Sequence, residues 1–118
     1  MGESTLALSA QMATAEHVIE IQSAEQHQNL VKDSRRLVVF YGADWCTGCD
    51  QITKFFVDLS AKYHKRLTFA HADIDKAKLD FERVPAFIAF RKGEELNGFE
   101  GSDPNSLKIL TKEVILAD

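Results

Sequence analysis

The two cysteines of this 118-residue chain, Cys46 and Cys49, lie three positions apart in the segment Trp45-Cys46-Thr47-Gly48-Cys49. Two thiols at this spacing can close a disulfide within one turn of a helix. A disulfide that closes so short a ring stabilises a fold by only about 2 kcal/mol in the chain-entropy model. The spacing therefore favours a redox-active bond, which opens and closes, over a structural one.

The flanking residues place the pair at the start of a helix. Leu37 to Tyr41 form an apolar, mostly β-branched and aromatic run, which predicts a strand covered on both faces. The apolar spacing from Ile52 to Tyr63 predicts a helix that begins near Cys46. The N–H groups and the dipole of that helix favour an anion by about 0.3–1 kcal/mol, so Cys46 is expected to form the attacking thiolate. Cys49, one turn further on, is expected to be more buried and to stay protonated until it attacks in turn.

Two other interpretations of the cysteines compete with the redox one. Free cysteines often pack as small hydrophobic residues in a core, but the position between strand and helix disfavours this. Cys46, Cys49, His64 and His71 together resemble the ligand set of a zinc finger. The six residues between the two histidines exceed the three to five that such a site uses, and His71 lies in an apolar strand, so no metal site is predicted.

Composition and charge limit the class of protein. The chain has 45% hydrophobic and 27% charged residues and a formal net charge of −4, which are typical of one soluble globular domain. It has no basic field that would neutralise phosphates, so neither nucleic acid nor an anionic membrane is an expected partner. Residues 1–16 lack the features of a secretory signal or a transit peptide. We expect a flexible N-terminal extension there, a domain over residues 17–118, and a cytoplasmic monomer.

Short apolar strands alternate with amphipathic helices from Val18 onward, and a hairpin follows near the C-terminus. This order predicts an α/β fold in which helices flank a central mixed sheet of four or five strands with an antiparallel edge. Ser23 and Asp103 are the expected N-caps, and Gly98 is expected to mark a β-bulge. The predicted strands are 18–21, 37–41, 67–74, 86–90 and 95–100, and the predicted helices are 23–32, 46–63, a short one within 76–83, and one from Asp103 through Val114.

Three segments resemble the thioredoxin family: Val38 to Cys49, which contains the Trp-Cys-x-x-Cys motif, Val84 to Phe87, and Lys92 to Glu94. The motif after a buried strand, with a proline about 35 residues later, is a specific combination, and the element order matches over roughly residues 17–116. The resemblance implies the thioredoxin fold, a three-layer sandwich, and a protein-disulfide reductase with Cys46 as nucleophile and Cys49 as resolving thiol. It also implies disulfide-containing client proteins, an electron donor that is a dithiol or is similar to thioredoxin reductase, and no bound cofactor.

The same resemblance assigns substrate-binding residues. Pro85 would be a cis-proline that faces the disulfide, and Val84 would offer its backbone to an extended substrate segment. Thr47 and Gly48, which replace the family's usual Gly-Pro pair, would border the sulfurs together with Trp45. The alternative for Trp45 is an ordinary core tryptophan.

Two buried positions depart from the family pattern. The buried aspartate that the family carries six residues before the first cysteine is Phe40 here, and the lysine that would partner it aligns with His71. The resemblance therefore leaves His71 as the candidate proton relay for the resolving thiol. A hydrogen-bonded core histidine without a catalytic role is an equally open interpretation.

A second resemblance bears on function. Val18 to Gln26 and Gly101 to Leu107 are similar to parts of the N-terminal thioredoxin-like domain of multidomain monothiol glutaredoxins. Those domains often lack a complete cysteine pair and act as docking modules. This chain keeps both cysteines, which favours redox activity, but a docking or regulatory module with little redox turnover is the alternative.

The acidic neighbours Asp44 and Asp50 are expected to tune the nucleophile, since a basic residue commonly follows the second cysteine in this family. Two carboxylates oppose the stabilisation that the helix gives to a thiolate, so we expect the pKa of the Cys46 thiol to exceed that of typical thioredoxins. The pH profile of Cys46 alkylation measures it. A midpoint below about 6 would contradict the expectation, because an unperturbed thiol titrates at about 8.5.

Overall fold

The computed structural model describes residues 15–117, and most of the predicted N-terminal extension, residues 1–16, lies outside the described residues. Within residues 15–117 the chain forms five strands and three helices, and none of these helices is both long and apolar enough to cross a membrane. In chain order the elements are β1 (Val18–Ile21), α1 (Ala24–Asp33), β2 (Arg36–Gly42), α2 (Thr47–Tyr63), β3 (Thr68–Asp73), β4 (Ala86–Arg91), β5 (Glu94–Glu100) and α3 (Pro104–Leu116).

The five strands form one mixed sheet in the order β1-β3-β2-β4-β5. β1, β3 and β2 are parallel, whereas β4 is antiparallel to β2 and β5 is antiparallel to β4. Strand β2 occupies the centre, and Leu37 to Tyr41 have no exposed surface, as expected of an apolar run covered on both faces. The predicted mixed sheet with an antiparallel edge is confirmed.

Helices cover both faces of this sheet. Successive residues of a strand point to opposite faces. Phe40 of β2 contacts Phe56 of α2, with ring centroids 5.2 Å apart, whereas the next residue, Tyr41, contacts His27 of α1. α3 packs against α2 and the sheet. The result is the expected three-layer α/β sandwich.

The expected caps close the N-termini of α1 and α3. The Ser23 hydroxyl accepts a hydrogen bond from the Gln26 N–H (3.0 Å), and the Gln26 side chain accepts one from the Gln22 N–H (2.8 Å). The Asp103 carboxylate accepts from the Asn105 N–H (3.2 Å). These contacts satisfy N–H groups that have no partner inside a helix, so both helices begin where the sequence predicts.

The predicted short helix within residues 76–83 is wrong, because the chain forms only a single turn at the start of this region before it continues to β4. The Asp73 carboxylate begins the turn by accepting from two backbone N–H groups. Lys78 then adopts a left-handed conformation (φ 57°), and the Leu79 N–H bonds back to the Ile74 carbonyl (2.9 Å). This geometry is typical of a helix C-terminus, and it ends the turn before a helix can form.

The bulge of β5 lies at Leu96 rather than at the predicted position, Gly98. The register between β4 and β5 shifts between Ala89 and Phe90, which leaves Leu96 as the extra residue. Gly98 has a different role: a Cβ atom there would lie 2.7 Å from the Phe87 carbonyl oxygen. The glycine therefore permits a close approach between the two strands.

Replacing Gly98 with alanine should lower the free energy of unfolding by about 1–3 kcal/mol, the usual cost of overpacking, because the carbonyl oxygen can move only with β4. Urea denaturation of Gly98→Ala measures the change. Glu94→Ala, at an exposed position of the same strand, is the control and should change the stability by less than about 0.5 kcal/mol. Equal stability of Gly98→Ala and the wild type would contradict a close approach at this point.

His27 of α1 and Tyr41 of β2 form a polar contact on the face of the sheet opposite to Phe40. His27 Nε2 lies 2.6 Å from the Tyr41 hydroxyl, and the fully buried Tyr41 ring stacks on Phe81. Burial raises the pKa of Tyr41, and the carboxylate of Glu95 raises it further. Burial lowers the pKa of His27, because the protonated ring would lose hydration. A neutral His27 therefore accepts the hydrogen bond that the Tyr41 hydroxyl donates.

The lowered pKa of His27 predicts a loss of stability in mild acid. The unfolded chain binds a proton near the ordinary value of 6.5, whereas the folded chain binds it only at lower pH. The contribution of His27 is thus complete above that value and declines as the pH falls below it. Between about pH 7.5 and about pH 5.5, the free energy of unfolding should fall less in His27→Gln than in the wild type. Denaturation curves with equal declines in both proteins would contradict this assignment.

Candidate active site

The two cysteines form a disulfide at the N-terminus of α2. Cys46 is the N-cap residue, and its backbone N–H bonds to the Ala43 carbonyl (3.1 Å), which closes the turn between β2 and α2. Cys49 follows in the first helical turn, and the two Cα atoms lie 5.3 Å apart. Cys46 is 5% exposed and Cys49 is fully buried. The first cysteine is therefore closer to the solvent than the second, in the order that the sequence predicts.

The Cys46 sulfur lies where the helix donates hydrogen bonds. It accepts from the Cys49 N–H at 3.1 Å, and the same donor would stabilise a Cys46 thiolate in the reduced protein. Asp44 and Asp50 are exposed, and the Asp44 carboxylate lies 3.8 Å from the Lys76 ammonium group. Water and this cation weaken the repulsion between the two acids and a thiolate. That the pKa of the Cys46 thiol exceeds the pKa found in typical thioredoxins stays a prediction.

A groove of about 490 Å³ borders the segment that carries the cysteines. The Val84–Pro85 peptide bond is cis, as the resemblance implies, and the Pro85 carbonyl accepts from the Gly101 N–H (2.8 Å) at the end of β5. A Cβ atom on Gly48 would lie 3.1 Å from Pro85, so the turn between the cysteines packs directly against the proline. The groove is lined by Trp45, Glu82, Arg83, Val84, Pro85, Glu100 and Gly101.

Trp45 lines this groove and is 65% exposed, so the alternative of an ordinary core tryptophan is wrong. Its indole N–H donates to the Asp75 carboxylate (2.7 Å), which orients the ring. Thr47 is exposed between the two cysteines. The fold thus brings together the residues to which the resemblance assigns substrate binding.

The histidines do not join the cysteines in a metal site. His64 is the C-cap of α2, at the end of the helix opposite to the disulfide. Across residues 15–117, no group of three or more His, Cys, Asp or Glu side chains is placed to hold a metal ion.

His71 of β3 is 2% exposed and has a partner that sequence reasoning missed. Its Nδ1 atom lies 3.0 Å from both carboxylate oxygens of Glu20, and its ring meets Phe40 edge-on with centroids 5.1 Å apart. The only sequence signal for Glu20 was a single acid within the apolar strand 18–21. His71 is therefore a buried histidine whose Nδ1 atom has a hydrogen-bond partner. Proton transfer by His71 stays a prediction.

Comparison with known proteins decides the family. The family model named Thioredoxin matches residues 17–113. The chain belongs to the thioredoxin family. The thioredoxin of Equus caballus is 31% identical over 102 residues, which cover 82% of this chain and 96% of that protein. Thioredoxin-like protein 1 of Schizosaccharomyces pombe is 31% identical over 97 residues, which cover 77% of this chain but only 33% of that longer protein.

Solved structures of this family share the fold. The thioredoxin from Trypanosoma brucei brucei superimposes with a TM-score of 0.77 at 24% identity, over 89% of this chain and 96% of that one. The thioredoxin of Plasmodium falciparum gives a TM-score of 0.75 at 23% identity, over 81% and 98% of the two chains. At these identities the likeness concerns the fold alone, and the expected thioredoxin fold is confirmed.

Membership of the family and the bonded cysteine pair together identify a thiol–disulfide oxidoreductase in the general sense. The chain keeps the Trp-Cys-x-x-Cys motif and the cis-proline of the thioredoxin family. It departs from the family in the residues between the cysteines, Thr47 and Gly48, and in the buried pair Phe40 and His71. These departures surround the sulfurs, so they bear on the tuning of the chemistry rather than on its class.

Proposed function

We propose that the protein reduces disulfides of client proteins through a cycle in which Cys46 and Cys49 alternate between dithiol and disulfide. The observation that carries this proposal is the position of Cys46, whose sulfur accepts an N–H from the first turn of α2 and which directly follows Trp45, a residue that lines an open groove. A purely structural role is disfavoured, because a disulfide that closes so short a ring adds little to the stability of the fold.

The cycle has two exchange steps. The Cys46 thiolate attacks one sulfur of the client disulfide, the client S–S bond breaks, and a mixed disulfide forms while one client thiolate leaves. Cys49, having lost its proton, then attacks the Cys46 sulfur and releases the second client thiolate. Two electrons have passed to the client, and the Cys46–Cys49 disulfide is left. A separate dithiol, or a reductase similar to thioredoxin reductase, returns two electrons to the pair.

The groove gives an extended client segment a place next to Cys46. Val84 offers its backbone for hydrogen bonds of the kind that add a strand to a sheet. Pro85 and the aromatic ring of Trp45 line the groove, as do Arg83 and Glu100, whose charged groups lie 3.9 Å apart. Thr47 and Gly48 contact the client beside the sulfurs.

The proposed setting is the cytoplasm, with the protein acting as a monomer. Reducing systems there keep thiols reduced, which is the condition for regenerating the dithiol form. The cycle needs no bound cofactor, because the two sulfurs carry both electrons.

Trapping the mixed disulfide tests this function. Cys49→Ser removes the resolving thiol, so Cys46 should stay bonded to a purified disulfide-containing protein such as insulin. Non-reducing electrophoresis detects the adduct, and dithiothreitol should release it. Cys46→Ser, which keeps the buried Cys49, is the matched control and should give no adduct. If Cys49→Ser forms no adduct although alkylation shows that Cys46 is reduced, the reductase is excluded and the docking module is favoured.

A further inference from the structure

A row of side chains crosses the sheet on the side that carries the cysteines. Glu20 of β1 pairs with His71 of β3, and His71 pairs with Phe40 of β2. Side chains that are directly opposite in neighbouring strands point to the same face. Here that face is the one covered by α2, since Phe40 contacts Phe56 of that helix. The row thus places an acid and a histidine under the helix that holds the disulfide.

The hydrogen bonds of His71 define the role of each ring nitrogen. Nδ1 lies 3.0 Å from both carboxylate oxygens of Glu20. A carboxylate only accepts, so Nδ1 carries the hydrogen, and Nε2 of the neutral ring then holds a free electron pair. Nε2 is buried and finds no hydrogen-bond partner among residues 15–117. A buried acceptor without a donor costs free energy, so this atom points to a donor that it meets during function.

Gly42 shows what Nε2 faces. A Cβ atom placed on Gly42 would lie 3.0 Å from the Cys49 sulfur, 3.3 Å from the edge of the Phe40 ring and 3.5 Å from His71 Nε2. The sulfur and the nitrogen therefore border the same small space beside Gly42. Because glycine has no side chain, nothing from this residue stands between the two atoms.

We propose that Glu20 and His71, here called the Glu20–His71 couple, accept the proton of Cys49 in the resolving step. His71 receives the proton, and Glu20 is a positioning residue that orients the ring. This inference rests on the proposed reductase cycle, in which Cys49 must become a thiolate before it can attack.

The atoms and electrons of the step balance. In the mixed disulfide, the Cys49 S–H proton passes to His71 Nε2, and the Cys49 thiolate attacks the Cys46 sulfur. The bond between Cys46 and the client sulfur breaks while the Cys46–Cys49 bond forms, so the two electrons leave with the client thiolate. His71 then releases its proton to solvent, and the client thiolate takes one up.

The surroundings of His71 can stabilise the positive charge that the ring gains in this step. A buried imidazolium requires an opposite charge, and Glu20 supplies one at 3.0 Å while 34% of its side chain is exposed. Phe40 meets the ring edge-on and Cys49 borders the space beside Gly42 that Nε2 also borders, and neither residue carries a charge in the state before transfer. Asp73, the other acid on this face of β3, accepts from two backbone N–H groups of the following turn.

The two exchange steps can be timed separately with 5,5′-dithiobis(2-nitrobenzoate). Attack by Cys46 releases one thionitrobenzoate and leaves the other bound to its sulfur, and attack by Cys49 releases the second. Thionitrobenzoate leaves without being protonated, so the second release reports the deprotonation and attack of Cys49. The first release tests the reductase and the second tests the Glu20–His71 couple, which makes the two failures distinguishable.

Stopped-flow traces of the reduced wild type, His71→Ala and Glu20→Gln are compared from about pH 6 to about pH 8. We expect the second release to slow about 100-fold in His71→Ala and about tenfold in Glu20→Gln, while the first release changes by less than about twofold. In His71→Ala the second rate should rise about tenfold per pH unit, as the thiolate fraction of an unassisted thiol does. The wild-type profile should be flatter, because the imidazole takes the proton.

Glu25→Gln makes the same charge change at an exposed position of α1 and should leave both releases unchanged. The double variant Glu20→Gln/His71→Ala should be no slower than His71→Ala, since the carboxylate acts only through the ring. The proposal would be overturned if either single variant released the second thionitrobenzoate at the same rate as the wild type. If circular dichroism shows that His71→Ala does not fold, Glu20→Gln decides alone: a slowed second release with a normal first release supports the couple, and two normal releases overturn it.

Discussion

One transverse row of side chains, contributed by all five strands, is the constraint on which the site depends. From β1 to β5 it consists of Glu20, His71, Phe40, Phe87 and Phe99. The three phenylalanine rings stack with centroids 4.8 and 5.0 Å apart, and Phe56 of α2 packs onto the first of them. Phe40, Phe56 and Phe87 are fully buried, and the burial of each such side chain contributes about 1.5–3 kcal/mol. This packing fixes how α2 lies on the sheet, and therefore where the N-terminus of α2 meets the end of β2 and holds Cys46.

The same row gives a physical reason for the placement of the acid. A carboxylate at position 40 would be buried against Phe56 and Phe87 and would lose its hydration there. A phenylalanine at this position completes the aromatic stack instead. The acid lies on the edge strand β1, where Glu20 keeps contact with water, and His71 lies between the acid and the sulfur side of the sheet. In the proposed cycle the core then carries a charge only while the proton is being passed.

Sequence patterns predicted the features whose causes are local. Ser23 and Asp103 cap the helices that directly follow them, and the motif from Trp45 to Cys49 locates the sulfurs because strand end and helix start are adjacent in the chain. The predictions that were wrong or missing concern features with non-local causes, or features for which two local conformations differ little in free energy. The bulge at Leu96 arises from the way β5 pairs with β4. The partnership of Glu20 with His71 requires β1 to lie beside β3, which no local pattern indicates. The turn after β3 ends early because of one left-handed residue, a choice that residue types alone do not determine.

The two sulfurs are set in surroundings of different polarity, and this separates the control of the two steps. Asp44 and Asp50, which flank the cysteines, are exposed, and salt screens such charges over about 8–10 Å. In the Glu20–His71 couple the His71 ring is buried and Glu20 is only partly exposed, so the interactions of the ring are stronger and less screened than those of the two surface acids. In the proposed cycle, attack on the client therefore responds to ionic strength and to surface charge, whereas resolution responds to the packing of the row. Surface substitutions can then change which clients react quickly, while the buried row keeps the release of every client fast.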